Sequence, residues 1–122
     1  MAKKEVITTD KAALPIGPYS QGIRVGDFVF VAGEKGIDPA TGSLVEDGIA
    51  TETRQTFENI KAILEAAGAS LDDAVRTVVY LTDIEEFAAM NEVYASYFPT
   101  DRRPARTCVG VAALARGALV EI

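Results

Sequence analysis

The segment VRTVVYL (75–81) limits the possible folds more than any other stretch of this chain. It is dense in β-branched residues, which fit a pleated surface and lose rotamer freedom in a helix. Strand side chains alternate between two faces, so Val75, Thr77, Val79 and Leu81 share one side and Val78 and Tyr80 the other. Both sides are largely apolar, and FVFVA (28–32) has the same character. A sheet holding such strands needs cover on both faces. Helices from right-handed crossovers lie on one face only. The opposite face must then be buried by another subunit, because large apolar side chains left in water cost roughly 1.5–3 kcal/mol each. Self-association follows from the pattern; the number of subunits does not.

The other elements fit around these strands. IRV and FVFVAG (23–33) are apolar runs joined at Gly26-Asp27, a hairpin signal. DPATG (38–42) reads as a turn. From about 49 to 67, Phe57, Ile60, Leu64 and Ala67 fall at helical spacing, with Gly68 as the stop. Ser70 reads as an N-cap ahead of Asp72 and Asp73. A second helix over about 84–98 carries Phe87, Met90, Tyr94, Tyr97 and Phe98 on one stripe and stops at Pro99. PARTCVGVA (104–112) and ALVEI (118–122) read as strands. The order ββαβαββ predicts a single α+β domain over residues 1–122, with one mixed sheet and two helices on one face.

Composition narrows the chemistry. The chain has no histidine and one cysteine, Cys108. That excludes Ser-His-Asp and Cys-His catalysis and all histidine metal sites, and no cluster has metal-ligand spacing, so no metal is expected. It also removes the commonest acid-base group for neutral pH. Carboxylates, arginine, backbone groups and water are left to do any chemistry. A net charge of −6 disfavours phosphate backbones, and the cluster Arg102, Arg103 and Arg106 is too small to reverse this, so no nucleic-acid partner is expected. No apolar run is long enough to span a membrane, and MAKKEVITTDKAALP has no apolar core of a secretory signal. With the lone cysteine, this predicts a cytoplasmic protein without a membrane partner.

Three residues merit weighing as chemistry. Arg106 lies early in an otherwise uncharged strand. A solvated strand-end arginine is the ordinary reading; the functional one is a carboxylate clamp, since guanidinium presents a rigid fork of donors that never loses its charge. Cys108 has apolar neighbours and no histidine partner, which favours a small buried hydrophobe over a nucleophile. Glu121, in an apolar terminal strand, is either a solvated charge or a carboxylate that orients water. Tyr19 in GPYSQG is either a core aromatic or a pocket wall. Gly33 marks a bulge or a close backbone approach, and Asn91 reads as a polar residue at a helix edge. On the residues alone, the reading ends at an oligomeric α+β domain with a candidate anion site.

Several segments, in order and at matching spacing, are similar to one known family. GPYSQG (17–22), VFVAGEKGIDPATG (29–42), QTFENIKAILEAAGASLDDAV (55–75), VVYLTDIEEFAAMNEVYASYF (78–98) and PARTCVGVAAL (104–114) resemble the RidA/YjgF family of reactive-intermediate deaminases. The resemblance implies a chorismate-mutase-like α+β fold, assembled as a homotrimer with helices outside and sheets around a central barrel. It implies cofactor-independent hydrolysis of 2-imino and 2-enamino acids, such as 2-aminoacrylate and 2-iminobutyrate, to 2-keto acids and ammonia, at sites between subunits. By position, Arg106 would bind the substrate carboxylate, the backbone of Cys108 would help place water and substrate, and Glu121 would activate the water. Tyr19, Gly33, Phe87 and Asn91 would line the pocket. The family commonly has serine and glutamine around the glycine of VAGEKG; here they are Ala32 and Glu34. Those departures motivate an alternative of another class, a non-catalytic small-carboxylate-binding or chaperone-like module of the same fold.

Overall fold

The computed structural model describes all residues from 1 to 122. The hairpin read at Gly26-Asp27 forms from β2 (Gly22–Val25) and β3 (Phe28–Val31), with Gly26 at φ +57°, where a side chain would be strained. A further strand, β1 (Lys4–Ile7), pairs antiparallel with β2 and is absent from the sequence reading. Four residues, with only Ile7 buried, are too few to display a period.

A long helix, α1 (Ile49–Ala66), follows and stops at Gly68 with φ +79°. After a 3-10 turn at Leu71–Asp73, β4 (Arg76–Leu81) begins. The carboxylate of Asp73 accepts the Ser70 N–H and closes that turn. A second 3-10 turn, capped by Asp83, leads into α2 (Phe87–Tyr97), and β5 (Ala105–Gly110) and β6 (Val120–Glu121) complete the chain.

The single sheet expected from the sequence is divided in two. β1-β2-β3 is an antiparallel sheet; in the other, β4 lies between parallel β5 and antiparallel β6. The two are stitched where Glu34 and Ile122 exchange both backbone hydrogen bonds, at 2.9 and 3.0 Å. Below this stitch β3 and β4 part, leaving an apolar groove of about 700 Å³ lined by residues that include Phe28, Phe30, Leu71, Val78 and Tyr80.

Both helices cover one side. Val79 and Leu81 of β4 and Val120 of β6 pack beneath Phe57 of α1 and Met90, Tyr94 and Phe98, all nearly or fully buried. Phe57 is the hub, with the Tyr94, Tyr97 and Phe98 rings centred 5.4, 4.7 and 5.7 Å away. Ile7, Ala12, Ile63 and Ala67 form a smaller core under the first sheet. Phe28 and Phe30 point the other way and are 63% and 59% exposed, which is the uncovered apolar face that strand parity requires. Val75 departs from its expected face: it precedes β4 and is exposed.

The inner side of α1 is not wholly apolar. Glu52, Thr53, Thr56 and Asn59 are buried there. The threonine hydroxyls donate to carbonyls one turn back, Ile49 and Glu52. Asn59 instead donates to the carbonyls of Lys35 and Ile37, at 3.1 and 2.8 Å, and accepts from Gln55. Removing its amide leaves the Ile37 carbonyl without a donor, while the Lys35 carbonyl still accepts the Ile37 N–H; one buried group left unpaired costs about 1–3 kcal/mol. Asn59→Ala should therefore lower unfolding stability by about 1–3 kcal/mol, seen as a lower urea midpoint at unchanged slope. An unchanged midpoint would show that water replaces the amide at no cost.

Candidate functional site

Arg106 is built into the covered side of the second sheet. It stands beside Thr77 in the parallel register, and the Thr77 hydroxyl is 2.7 Å from the Tyr94 hydroxyl of α2. Its Nη1 donates to Asn91 Oδ1 at 2.7 Å, and its guanidinium carbon lies 4.5 Å from the Tyr94 ring centre and 5.3 Å from that of Phe87. Two aromatic faces and one amide thus hold the cation in a fixed pose. The ordinary reading of a freely solvated arginine does not describe it. Of five N–H donors, one is used by Asn91, so most of the fork remains for a ligand.

The backbone around Arg106 is open as well. β5 is an edge strand. Ala105 N–H donates to Val75 and Val111 N–H to Leu81, so the odd-numbered residues face β4. By the two-residue period, the backbone groups of Arg106 and Cys108 point out along the free edge. The Cys108 side chain packs against the larger core. Burial pushes its thiol pKa up and the Arg106 charge pulls it down, with burial the larger effect. That is the behaviour of a packing residue and not of a thiolate nucleophile.

Glu121 belongs to a separate cluster. Its Oε1 is 3.0 Å from Lys35 Nζ, with both side chains mostly covered. A Cβ placed on Gly33 would lie 2.9 Å from Glu121 Cδ, so the close approach anticipated at this glycine is real and a side chain there would displace the carboxylate. Tyr19, Gly33, Glu34, Lys35 and Arg116 line a recess of about 20 Å³ beside it. Glu34 is only 5% exposed, and burial pushes its carboxyl up to about 8.

Tyr80 pairs with Glu121 and Leu81 with Val120; since Leu81 and Val120 face the helices, Glu121 faces the other side. Arg106 and Glu121 therefore lie on opposite faces of the second sheet, on the two strands flanking β4. The structure joins Arg106, Asn91, Phe87 and Cys108 in one group and Glu121, Gly33 and Tyr19 in another. A single chain does not bring the two groups together.

Positioning residues were missing from the sequence reading. Gln21, 2% exposed, accepts the Thr9 N–H and donates to the carbonyls of Thr9 and Ala13, fixing the loop that leads to Tyr19. Glu52 accepts the Leu119 N–H at 2.9 Å, and Asn59 holds residues 35–37. Their signal, polar residues within an apolar stripe, was present but does not name a partner. No set of three His, Cys, Asp or Glu residues is spaced to hold a metal. What the arrangement offers is a fixed cation with free donors for a small carboxylate and, separately, carboxyl groups for moving protons.

A family model described as Endoribonuclease L-PSP matches residues 9–122. A RutC family protein of Pyrococcus abyssi is 56% identical over 119 residues, which cover 98% of this chain and 93% of the relative. A mouse protein named 2-iminobutanoate/2-iminopropanoate deaminase is 43% identical over 119 residues, covering 98% of this chain and 87% of its own. The crystal structure of RidA from an Antarctic Psychrobacter matches with a TM-score of 0.92 at 47% identity, over 96% of this chain and 94% of that one. Matches of this extent, on a fold of two helices and two sheets, place the chain in the RidA/YjgF family, which also takes in the RutC proteins.

Proposed function

We propose that this protein hydrolyses reactive 2-imino and 2-enamino acids to 2-keto acids and ammonia, in a homotrimer whose sites lie between subunits. The observation that carries the reading is Arg106: a cation pinned by Asn91, Phe87 and Tyr94, with free donors beside an open strand edge. That is a receptor for a planar anion, and a carboxylate matches its fork. The mouse relative's name supplies the reaction class.

The two residue groups support assembly. Arg106 and Glu121 face opposite sides of one sheet, so a site using both takes them from different copies. Phe28 and Phe30 stand out on the uncovered face, and another subunit would remove them from water. In the assembled site, Arg106 and the outward backbone of Cys108 hold the substrate, while Glu121 of the next copy takes a proton from the attacking water. Tyr19 and Gly33 stand with Glu121, and Phe87 and Asn91 with Arg106. An imine carbon is already electrophilic, so holding it beside a water in near-attack geometry supplies much of the rate. The family model's ribonuclease description finds less support in a chain of net charge −6 without histidine.

Arg106→Ala should lower kcat/KM on freshly generated 2-iminobutyrate at least about 100-fold, since each 1.36 kcal/mol is tenfold and a charge-assisted hydrogen bond contributes about 1.5–3 kcal/mol. Arg106→Lys should recover only part of this, and an imine lacking a carboxylate should be no worse for the Ala variant than for the wild type. Equal losses on both substrates would make Arg106 structural.

Sedimentation should give about three times the 13.0 kDa chain mass. Arg106→Ala and Glu121→Gln chains, each nearly inactive alone, should regain about a quarter of wild-type activity when unfolded, mixed equally and refolded, because each mixed trimer restores one site. No recovery in mixed trimers would place both groups in one chain's site.

A further inference from the structure

Lys35 is the one charged side chain that touches Glu121. Its placement follows from the stitch between the two sheets. Glu34 and Ile122 exchange both backbone hydrogen bonds, so Lys35 and Glu121 are the next pair in the same antiparallel register. Side chains at such a position lie on one face and approach more closely than those of the hydrogen-bonded pair. Gly33, two residues before Lys35, shares that face, and its missing Cβ leaves room for Glu121. Glu34 alternates to the opposite face. Glu121 faces away from the helices, so Lys35 meets it on the uncovered side of the sheet, where another subunit would sit.

The contact is one-sided. Lys35 Nζ donates to Glu121 Oε1 at 3.0 Å, while Oε2 accepts no hydrogen bond from the protein. The Glu121 side chain is still 24% exposed, so water can reach that second oxygen. Gly33 packs against the same carboxylate, and a Cβ there would lie 3.0 Å from Oε2. The main chain of Lys35 is anchored separately: its carbonyl accepts the Asn59 amide at 3.1 Å and the Ile37 N–H at 2.8 Å. Its ammonium has no partner besides Glu121. No other cation does this work, since Arg116 donates to the Gly42 carbonyl at 2.7 Å and Arg24 reaches Glu5. The backbone of residue 35 thus serves the fold, and its side chain serves one carboxylate.

Resting on the deaminase reading above, we infer that Lys35 is a positioning residue: it fixes Glu121 in the pose that presents Oε2 to the attacking water, and it cancels the charge that Glu121 would otherwise set against the substrate carboxylate. Both effects matter where a base must stand close to an anion. An untethered glutamate samples several rotamers; a tether on Oε1 and a wall at Gly33 leave few of them. Without a counter-charge, its carboxylate in a water-poor cleft would repel the carboxylate held by Arg106. Lys35 acts through Glu121 alone, and Arg106 of another copy remains the group that binds the substrate.

The test is a double-mutant cycle on kcat and KM for 2-iminobutyrate, using Lys35→Met, Lys35→Arg, Glu121→Gln and the chain carrying both Lys35→Met and Glu121→Gln. Methionine keeps most of the stem, removes the charge and leaves the backbone contacts of residue 35 in place. Lys35→Met should lower kcat by about 10- to 100-fold, the scale of a misplaced reacting group, and should raise KM. Lys35→Arg, which keeps a cation, should recover part of both. Adding Lys35→Met to Glu121→Gln should change neither constant further, because the group it acts through is gone. Lys35→Met should also sediment as the wild type does. A Met variant with wild-type kcat and KM overturns the proposal. So does a loss of equal size with and without the Glu121 carboxylate, or one that comes with failure to assemble. Each of these leaves the deaminase reading intact. A wild-type protein that hydrolyses no imine overturns the deaminase reading, and this proposal with it.

Discussion

Two polar side chains inside α1 hold the chemical segments in place. Glu52 and Asn59 sit among apolar residues, where an unpaired carboxylate or amide costs several kcal/mol. The Glu52 carboxylate and the Asn59 amide donors are not satisfied by their own helix turn, unlike the hydroxyls of Thr53 and Thr56. Each must find a partner elsewhere, and the available partners are the backbone of residues 35–37 and the Leu119 N–H. Those are the segments beside Glu34 and Glu121. Once they are held, Glu34 and Ile122 meet in register and join the two sheets. At Gly36, a Cβ would lie 2.9 Å from Glu52 backbone atoms, so the loop lies directly on the helix. The desolvation of two helix residues thus fixes the position of a site wall.

The sequence made the main elements legible for a specific reason: their periods are long enough to count. The hairpin, both helices, β4 and β5 lie within a few residues of where the pattern puts them. β1 escaped because four residues, one of them buried, carry no period. Division of the sheet escaped because it depends on where β6 ends its pairing with β4, after Tyr80 and Leu81, and strand composition does not encode that. Val75 shows the same limit at the level of one residue, since its apolar character says nothing about the strand starting at Arg76.

The candidate site was legible as a set of residue types and only partly as a place. Gly33 was marked for close approach, and Glu121 is the group it approaches. Cys108 was read as packing, and it packs. Nothing in the residue pattern, however, tells that Arg106 and Glu121 face opposite ways. That follows from register: Arg106 pairs with Thr77 and Glu121 with Tyr80, residues that lie on opposite faces of β4. Face assignment needs register, and register is set by contacts between segments far apart in sequence.

Keeping the two groups apart has a physical consequence for the proposed chemistry. An arginine and a glutamate free to meet within one flexible site would form a bidentate ion pair. The pair would fill the clamp, and a substrate carboxylate would have to displace it. Here Arg106 is tied to Asn91 and stacked on Tyr94 and Phe87, while Glu121 is tied to Lys35 and wedged against Gly33. Each charge is held by a local partner on a different face. When two such surfaces are brought together by assembly, the rigid backbones of two chains set the gap, and the side chains are not free to close it. The gap is then filled by an anion on the arginine side and water on the carboxylate side. On this reading, assembly does more than bury Phe28 and Phe30: it fixes the separation between a cation and a base that would otherwise neutralise each other.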